Sequence, residues 1–273
     1  MNISRIVSSV SRAKGIDIRF YKRDMLERRI MSRMNKLEIA TLEEYSLYLN
    51  ENPDECGKLI DEIGINYSVF FRDLIVFNII EQTILPDIIE TKRQSQCKDI
   101  RTWSVGCSQG EEAYSLAILI HRFLEKFKEP WTPFIFGTDI DSDALDKASE
   151  GIYPRERFES TPLGILDQYF IFKNENFVIK PFIRNMVHFS IKDCTTSDIF
   201  APSDSIFASF DLVLCRNVLI YFNPVIQEKV MRNLCNTIIP GGFLILGDTE
   251  ILFESFLCTF RIFDKRNNIY RKI

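Results

Sequence analysis

Through the first ninety residues apolar positions recur at three- and four-residue spacing and nowhere alternate, so the sequence predicts helices and no strands there. Thr41-Leu42-Glu43-Glu44 has capping-box form ahead of an apolar-spaced stretch ending near Leu49. Asn52-Pro53-Asp54 starts the next helix with proline in its first turn, where the missing N–H costs nothing. From Leu74 onward, Phe77, Ile80, Ile84 and Ile88 share one helical stripe. The polar segment Thr91 to Asp99 then closes this part, which divides the chain into a helical N-terminal domain, residues 1–90, and a second domain, residues 91–273.

Past that segment, short apolar runs alternate with amphipathic stretches. Ile100 to Cys107 reads as a buried strand, Glu111 to Phe127 as a helix, and Pro133 to Asp139 as a second strand. Phe210 to Cys215 is a further strand. Asn223-Pro224 opens a helix striped by Ile226, Val230, Leu234 and Ile238, and Pro240-Gly241-Gly242 turns into the strand Phe243 to Gly247. This alternation predicts an α/β fold: a parallel sheet of at least four central strands with helices on both faces. Between Gly151 and Val187 the rhythm breaks. Phe177-Val-Ile-Lys and Met186-Val-His-Phe-Ser read as short strands near a polar turn, Lys173 to Asn176, and form a small antiparallel insertion at about 170–190.

Composition narrows the chemistry. With 273 residues and 46% hydrophobic content the chain can bury a sizeable core, yet no run reaches the ~18 apolar residues of a membrane span. The start returns to charge too early for a signal peptide, so the expected location is cytoplasmic. Seven cysteines without a C-x-x-C pair and two histidines, His121 and His188, supply neither a zinc knuckle nor a disulfide framework, and no metal is expected. Ser/His/Asp catalysis is disfavoured for the same want of imidazoles. The net charge of −4 conceals a polarity, because residues 1–40 carry ten basic and four acidic side chains and the remainder is correspondingly acidic. Such a basic block is either a solvated helix face or a docking surface for an acidic partner, whether nucleic acid, lipid or protein.

In an open α/β sheet ligands bind beyond the carboxyl ends of the strands. The first exit, Gly106-Cys-Ser-Gln-Gly110-Glu111-Glu112, brings small residues straight into a helix start. Its spacing is not G-x-G-x-x-G, and two carboxylates there repel phosphate and suit a cation or a ribose hydroxyl. By itself the loop is equally a structural helix start. The second exit places Asp139 and Asp141 at a strand end, where one carboxylate can accept both hydroxyls of a ribose; Asp141 also reads as a helix N-cap. A positively charged nucleoside without phosphate, such as S-adenosylmethionine, fits both exits. At the third exit Arg216, Asn217 and Tyr221 follow closely on a strand and form a further candidate wall.

Four segments in register, Asn66-Tyr-Ser-Val-Phe-Phe-Arg72, Trp103-Ser with Gly110-Glu-Glu-Ala-Tyr-Ser115, Thr138-Asp-Ile-Asp141 with Ser149-Glu-Gly-Ile-Tyr153, and Phe210-Asp with Cys215-Arg-Asn-Val-Leu-Ile-Tyr-Phe222, resemble the chemotaxis receptor methyltransferases (CheR). The resemblance covers nearly the whole chain. It implies an S-adenosylmethionine-dependent, Rossmann-like domain that transfers methyl groups to glutamate side chains of methyl-accepting chemoreceptor cytoplasmic domains, giving glutamyl methyl esters. Carried over to matching positions, it implies that Asn66, Ser68 and Arg72 contact the cofactor's methionine end, Glu112 and Asp139 its amino group or ribose, and Asp193 and Cys194 its adenine. It further implies that Cys215, Arg216 and Asn217 form the remaining wall, and that Tyr221 faces the methyl transfer with Arg72 holding the cofactor.

Several positions depart from the family pattern. Ser68 and Ala113 stand where threonine and proline are frequent, and Gly247-Asp248-Thr249-Glu250 stands where histidine-serine-glutamate is more usual. The turn Lys173-Asn-Glu-Asn176 has no glycine, so the grip some members exert on a receptor tail is not carried over. Nucleic-acid or small-molecule methylation is the alternative reaction, but the Asn/Asp-Pro-Pro-aromatic turn usual in amino-methylating enzymes is replaced here by Cys215-Arg216-Asn217. A noncatalytic cofactor-binding adaptor is a second alternative, against which Arg72, Glu112, Asp139 and Tyr221 are all intact.

Overall fold

The computed structural model describes residues 3–14, 18–63, 68–195, 202 and 209–273. Two compact units emerge, Met1–Tyr67 with Tyr221–Gln227, and Ser68–Ile220 with Glu228–Ile273. The first is helical: α1 (Ser4–Lys14), α2 (Arg23–Lys36), α3 (Leu42–Glu51) and α4 (Pro53–Ile63). Thr41 completes the expected capping box, its Oγ accepting from Glu44 N at 3.2 Å while Glu44 Oε2 accepts from Thr41 N at 3.1 Å. The core is made by Ile6, Val10, Leu26, Ile30, Leu49 and Leu59, spaced so that one stripe of each helix turns inward. Within it Arg33 donates twice to Glu55, both bonds 2.8 Å, and the Tyr45 hydroxyl donates to the same carboxylate at 3.1 Å. Tyr221 to Asn223 join this unit by pairing with Phe20 to Lys22: Lys22 N donates to Tyr221 O at 2.8 Å and Asn223 N to Phe20 O at 3.0 Å.

The second unit contains β1 (Asp99–Val105), β2 (Thr132–Asp139), β3 (Ile152–Pro154), β4 (Phe170–Lys173), β5 (Asn176–Ile179), β6 (Val187–Ile191), β7 (Phe210–Cys215), β8 (Ile238–Leu246), β9 (Phe260–Asp264) and β10 (Ile269–Lys272). Its main sheet runs β6-β2-β1-β7-β8-β10-β9. The first five are parallel and the β9–β10 hairpin closes the far edge antiparallel, as the two pairings of β10 show. The chain runs outward from β1 through β2 and then starts again at β7 on the other side, so the order reverses between β1 and β7. That is where such a sheet opens a crevice. α7 (Glu111–Leu124) packs on β1 and β2, and α8 (Ser142–Glu150) on β2 and β6. Among the described residues no helix is long and apolar enough to cross a membrane.

Three expectations change. The helical segment at 74–94, namely α5 (Leu74–Ile79), a π-helical turn (Ile80–Ile84) and α6 (Leu85–Gln94), belongs with the sheet, so the compact unit begins at Ser68 and not at residue 91. Its stripe of Phe77, Ile80, Ile84 and Ile88 is buried in the same core as Leu116, Leu212 and Ile245, and helical periodicity alone does not say which core a stripe faces. Met186-Val-His-Phe-Ser lies not in the insertion but at the edge of the main sheet, where β6 pairs parallel to β2. The small sheet itself is β3-β5-β4, reaching back to Ile152. β9 and β10 were not anticipated; β9 exposes three consecutive residues, Arg261 to Phe263, and β10 spans only four, so neither shows the period-2 pattern of a half-buried strand.

Candidate active site

The β1 exit is shaped by backbone constraints. Gly106 has φ 68°, and a Cβ there would meet Val218 Cγ2 at 2.4 Å; Gly110 has φ 90° and faces Ala148 and Phe189 at 2.9 Å. Only glycine takes such dihedrals and approaches without strain. Gly106 N and Cys107 N both donate to Thr138 O, at 2.7 and 2.9 Å, which fastens the loop across the β2 exit.

Asp139 follows on β2, buried at 4% exposure. Its Oδ2 accepts from Ser108 N at 2.7 Å and its Oδ1 from Asp141 N at 3.0 Å. Burial pushes its carboxyl up to about 6, against the pull of those N–H donors. Each oxygen keeps a second lone-pair direction, so the carboxylate is oriented and still able to accept from a diol. Asp141 is the N-cap of α8, accepting from Asp143 N and Ala144 N. Beside Asp139, Lys192 N donates to Asp139 O at 2.8 Å, which brings Asp193 and Cys194 to this exit. Asp193 Oδ1 accepts from Thr195 N and Thr195 Oγ, at 2.7 and 2.6 Å, while burial raises the Cys194 thiol far above its ordinary range and keeps it neutral.

At the β7 exit the Arg216 side chain is 2% exposed. Its Nη1 donates to Glu112 Oε2 at 3.2 Å and to Arg72 O at 3.1 Å, and its Nη2 to Asp73 Oδ2. Glu112 Oε1 accepts from Ser104 Oγ at 2.7 Å. Glu112, Arg216 and the backbone of Arg72 are therefore one network, although 144 positions separate the outer two in sequence. The Arg72 guanidinium itself pairs with no carboxylate among the described residues. Ser68 contributes its carbonyl to Arg157 Nη1 at 2.7 Å. Asn66 lies outside the described residues.

Cys215 is fully buried, and burial also pushes its thiol well above the ordinary range. Asn217 takes φ 60°, a left-handed conformation that asparagine tolerates. Tyr221 sits in the helical unit, its ring 6.0 Å from that of Tyr21.

Residues 66–267 match the family described as "CheR methyltransferase, SAM binding domain", and residues 1–63 match "CheR methyltransferase, all-alpha domain". The chain belongs to the CheR family. A "Chemotaxis protein methyltransferase" of Borreliella burgdorferi is 31% identical over 257 residues, covering 92% of this chain and 88% of that protein. Proteins of the same description from Listeria innocua and Escherichia coli are 31% and 29% identical, covering 88% and 90% of this chain and 86% and 82% of their own lengths. This CheR protein is accordingly an S-adenosylmethionine-dependent methyltransferase of the chemotaxis system, built from an all-helical domain and a mixed seven-stranded methyltransferase sheet.

Sequence reasoning missed two acids in this CheR. Glu250 is 4% exposed and holds the β7 exit: Oε2 accepts from Gly247 N at 2.7 Å and Asn217 N at 2.9 Å, and Oε1 from Ile220 N at 3.2 Å. Its position in the departing Gly247-to-Glu250 stretch was the available signal. Glu111 is fully buried beside Arg157, 3.5 Å away, and burial pushes it up to about 7. The paired glutamates 111 and 112 are indistinguishable in sequence. The rotation of about 100° per helical residue sends Glu111 inward and Glu112 toward the strand exits.

Proposed function

We propose that this methyltransferase esterifies glutamate side chains of methyl-accepting chemoreceptor cytoplasmic domains, with S-adenosylmethionine as donor. The observation that carries the proposal is where the imidazoles lie. His121 is on α7 against Tyr169 and Phe182, and His188 is on β6 against Phe136, neither of them at the strand exits that hold Asp139, Glu112 and Arg216. An amine or hydroxyl acceptor must lose a proton and profits from a general base, whereas a glutamate with an ordinary pKa near ~4.3 is already an anion at neutral pH. The names of the relatives support the same system, and receptor recognition, the glutamyl position and the cytoplasmic location rest on that likeness.

The residues present fit the cofactor. The bound cofactor supplies an electrophilic methyl group. Asp139 is assigned the ribose hydroxyls, Arg72 the terminal carboxylate through a charge-assisted pair, and Glu112 the amino group, its carboxylate held in place by Ser104 and Arg216. Asn66, Ser68, Asp193, Cys194, Cys215 and Asn217 are assigned the remaining contacts on the family resemblance, and Tyr221 the orientation of the incoming glutamate. What the protein contributes is alignment and exclusion of water, which can be worth on the order of 7 to 11 kcal/mol. The test is incubation with methyl-labelled S-adenosylmethionine and receptor cytoplasmic fragments followed by mild alkali. Release of labelled methanol is expected; an alkali-stable label, or label entering only nucleic acid or small amines, would overturn the glutamyl assignment.

A further inference from the structure

The segment that presents Arg72 is bent against its own preferences. Phe71 has φ 52° and Asp73 φ 64°, so two non-glycine residues in the left-handed region flank the arginine. Such a conformation is strained for a residue with a side chain and persists only where its surroundings fix it. Here they do so on both sides. Phe71 N donates to Ser115 Oγ at 2.9 Å, and the Arg216 guanidinium binds Arg72 O at 3.1 Å and the Asp73 carboxylate together. Arg216 is 2% exposed while Asp73 is 35% exposed, and the same guanidinium also donates to Glu112 at 3.2 Å. The buried guanidinium thus reaches a carbonyl and a carboxylate on consecutive residues, a match for its planar fork that a lysine cannot reproduce.

We infer that the Arg216–Asp73 pair is a latch that fixes the strained turn around Arg72, so that Arg216 and Asp73 are positioning residues for cofactor recognition acting through Arg72. The inference rests on the assignment of Arg72 to the cofactor carboxylate. The latch joins residues far apart in sequence, and it sets Arg72 beside Glu112, the other group assigned to the amino-acid end of the ligand. It makes no contribution to the nucleoside end, which Asp139 serves.

That division supplies the experiment. Asp73→Asn keeps a residue that tolerates the left-handed turn and removes only the charge, and Asp73→Gly relieves the turn while removing the side chain. Binding of S-adenosylhomocysteine, which carries the amino-acid end, and of 5′-methylthioadenosine, which lacks it, is measured by calorimetry for the full chain, with thermal unfolding on the same samples. Asp73→Asn is expected to raise the Kd for S-adenosylhomocysteine roughly tenfold, the scale of a charge-assisted bond, and to leave that for 5′-methylthioadenosine within about twofold. In an Arg72→Ala background the same substitution should add nothing. Arg216→Lys should behave as Asp73→Asn does, without rescue. Equal weakening of both ligands, or the same factor with and without Arg72, would overturn the latch while leaving the Arg72 assignment standing. If Arg72→Ala alone left S-adenosylhomocysteine affinity unchanged, the assignment would fail and the latch with it.

Discussion

Asp139 shows what burial does to a carboxylate at a strand exit. Its carboxyl is pushed up to about 6 because it has left water, while the unfolded chain releases that proton near the ordinary value of 3.8. The folded group holds its proton to higher pH than the unfolded one, so its contribution to stability is present in acid and is lost as pH rises toward 6. Ligand hydroxyls that bond to the charged form recover part of that loss. Affinity for S-adenosylhomocysteine should therefore fall as pH drops below about 6, and the gain in thermal midpoint on adding it should be larger at neutral pH than in acid. Asp139→Asn should weaken binding and flatten this dependence, and calorimetry across the range checks both. Arg72→Ala should cost cofactor binding ~1.5 to 3 kcal/mol, the size of a lost charge-assisted partner, and a direct affinity measurement decides it. For Tyr221→Phe, turnover should drop with cofactor affinity nearly unchanged, and comparing kcat with the product Kd separates an effect on the acceptor from one on the cofactor.

At the level of elements, the site is a set of strand exits fastened to one another. The β1 loop hangs on Thr138 O of β2, and the β7 loop is gripped by Glu250 after β8 through the N–H groups of Asn217 and Ile220. A buried carboxylate can serve donors on both oxygens, whereas an amide presents one oxygen and turns an NH2 toward the rest. Glu250→Gln should therefore destabilise the protein by about 1 to 3 kcal/mol and loosen Asn217 and its neighbours. Denaturant unfolding gives the first quantity and amide hydrogen exchange across 216–220 the second. The departure from histidine-serine-glutamate at 248–250 leaves this grip intact, because the bonds are made by the glutamate and by backbone.

For the whole molecule, the basic character of the first forty residues resolves into two populations. Arg33 is internal, paired with Glu55 beside Tyr45, so its charge is not free for a partner, and Lys36 is tied to Glu62 at 2.5 Å on the surface. Arg23 and Arg28 are exposed on α2, Arg23 in an i,i+4 pair with Glu27, while Arg29 is half-buried. If α2 docks on acidic receptor helices, reversing Arg23 and Arg28 to glutamate should raise the KM for receptor several-fold without changing S-adenosylhomocysteine affinity. The dependence on salt should weaken in that variant, since steering acts over a Debye length of ~8 Å at physiological ionic strength. Methylation assays at two ionic strengths with one receptor fragment provide the check.

Local signals sufficed wherever the physics was local. The capping box at Thr41, the N-cap at Asp141, the β1, β2 and β7 strands and the glycine-bounded exit at 106–110 are all settled by residues a few positions apart, and each is where the sequence places it. The family motifs supplied the charged groups proposed for the site. Their partnerships were beyond reach, because Arg216 meets Asp73 and Glu250 meets Asn217 only after the sheet has assembled β1, β7 and β8 side by side. The same holds for the helix at 74–94 and for β6, whose patterns state that a face is buried and leave open against what. Of the two adjacent glutamates, the tertiary structure buries Glu111 beside Arg157 and gives Glu112 to Ser104 and Arg216, since only the helix's orientation on the sheet distinguishes them.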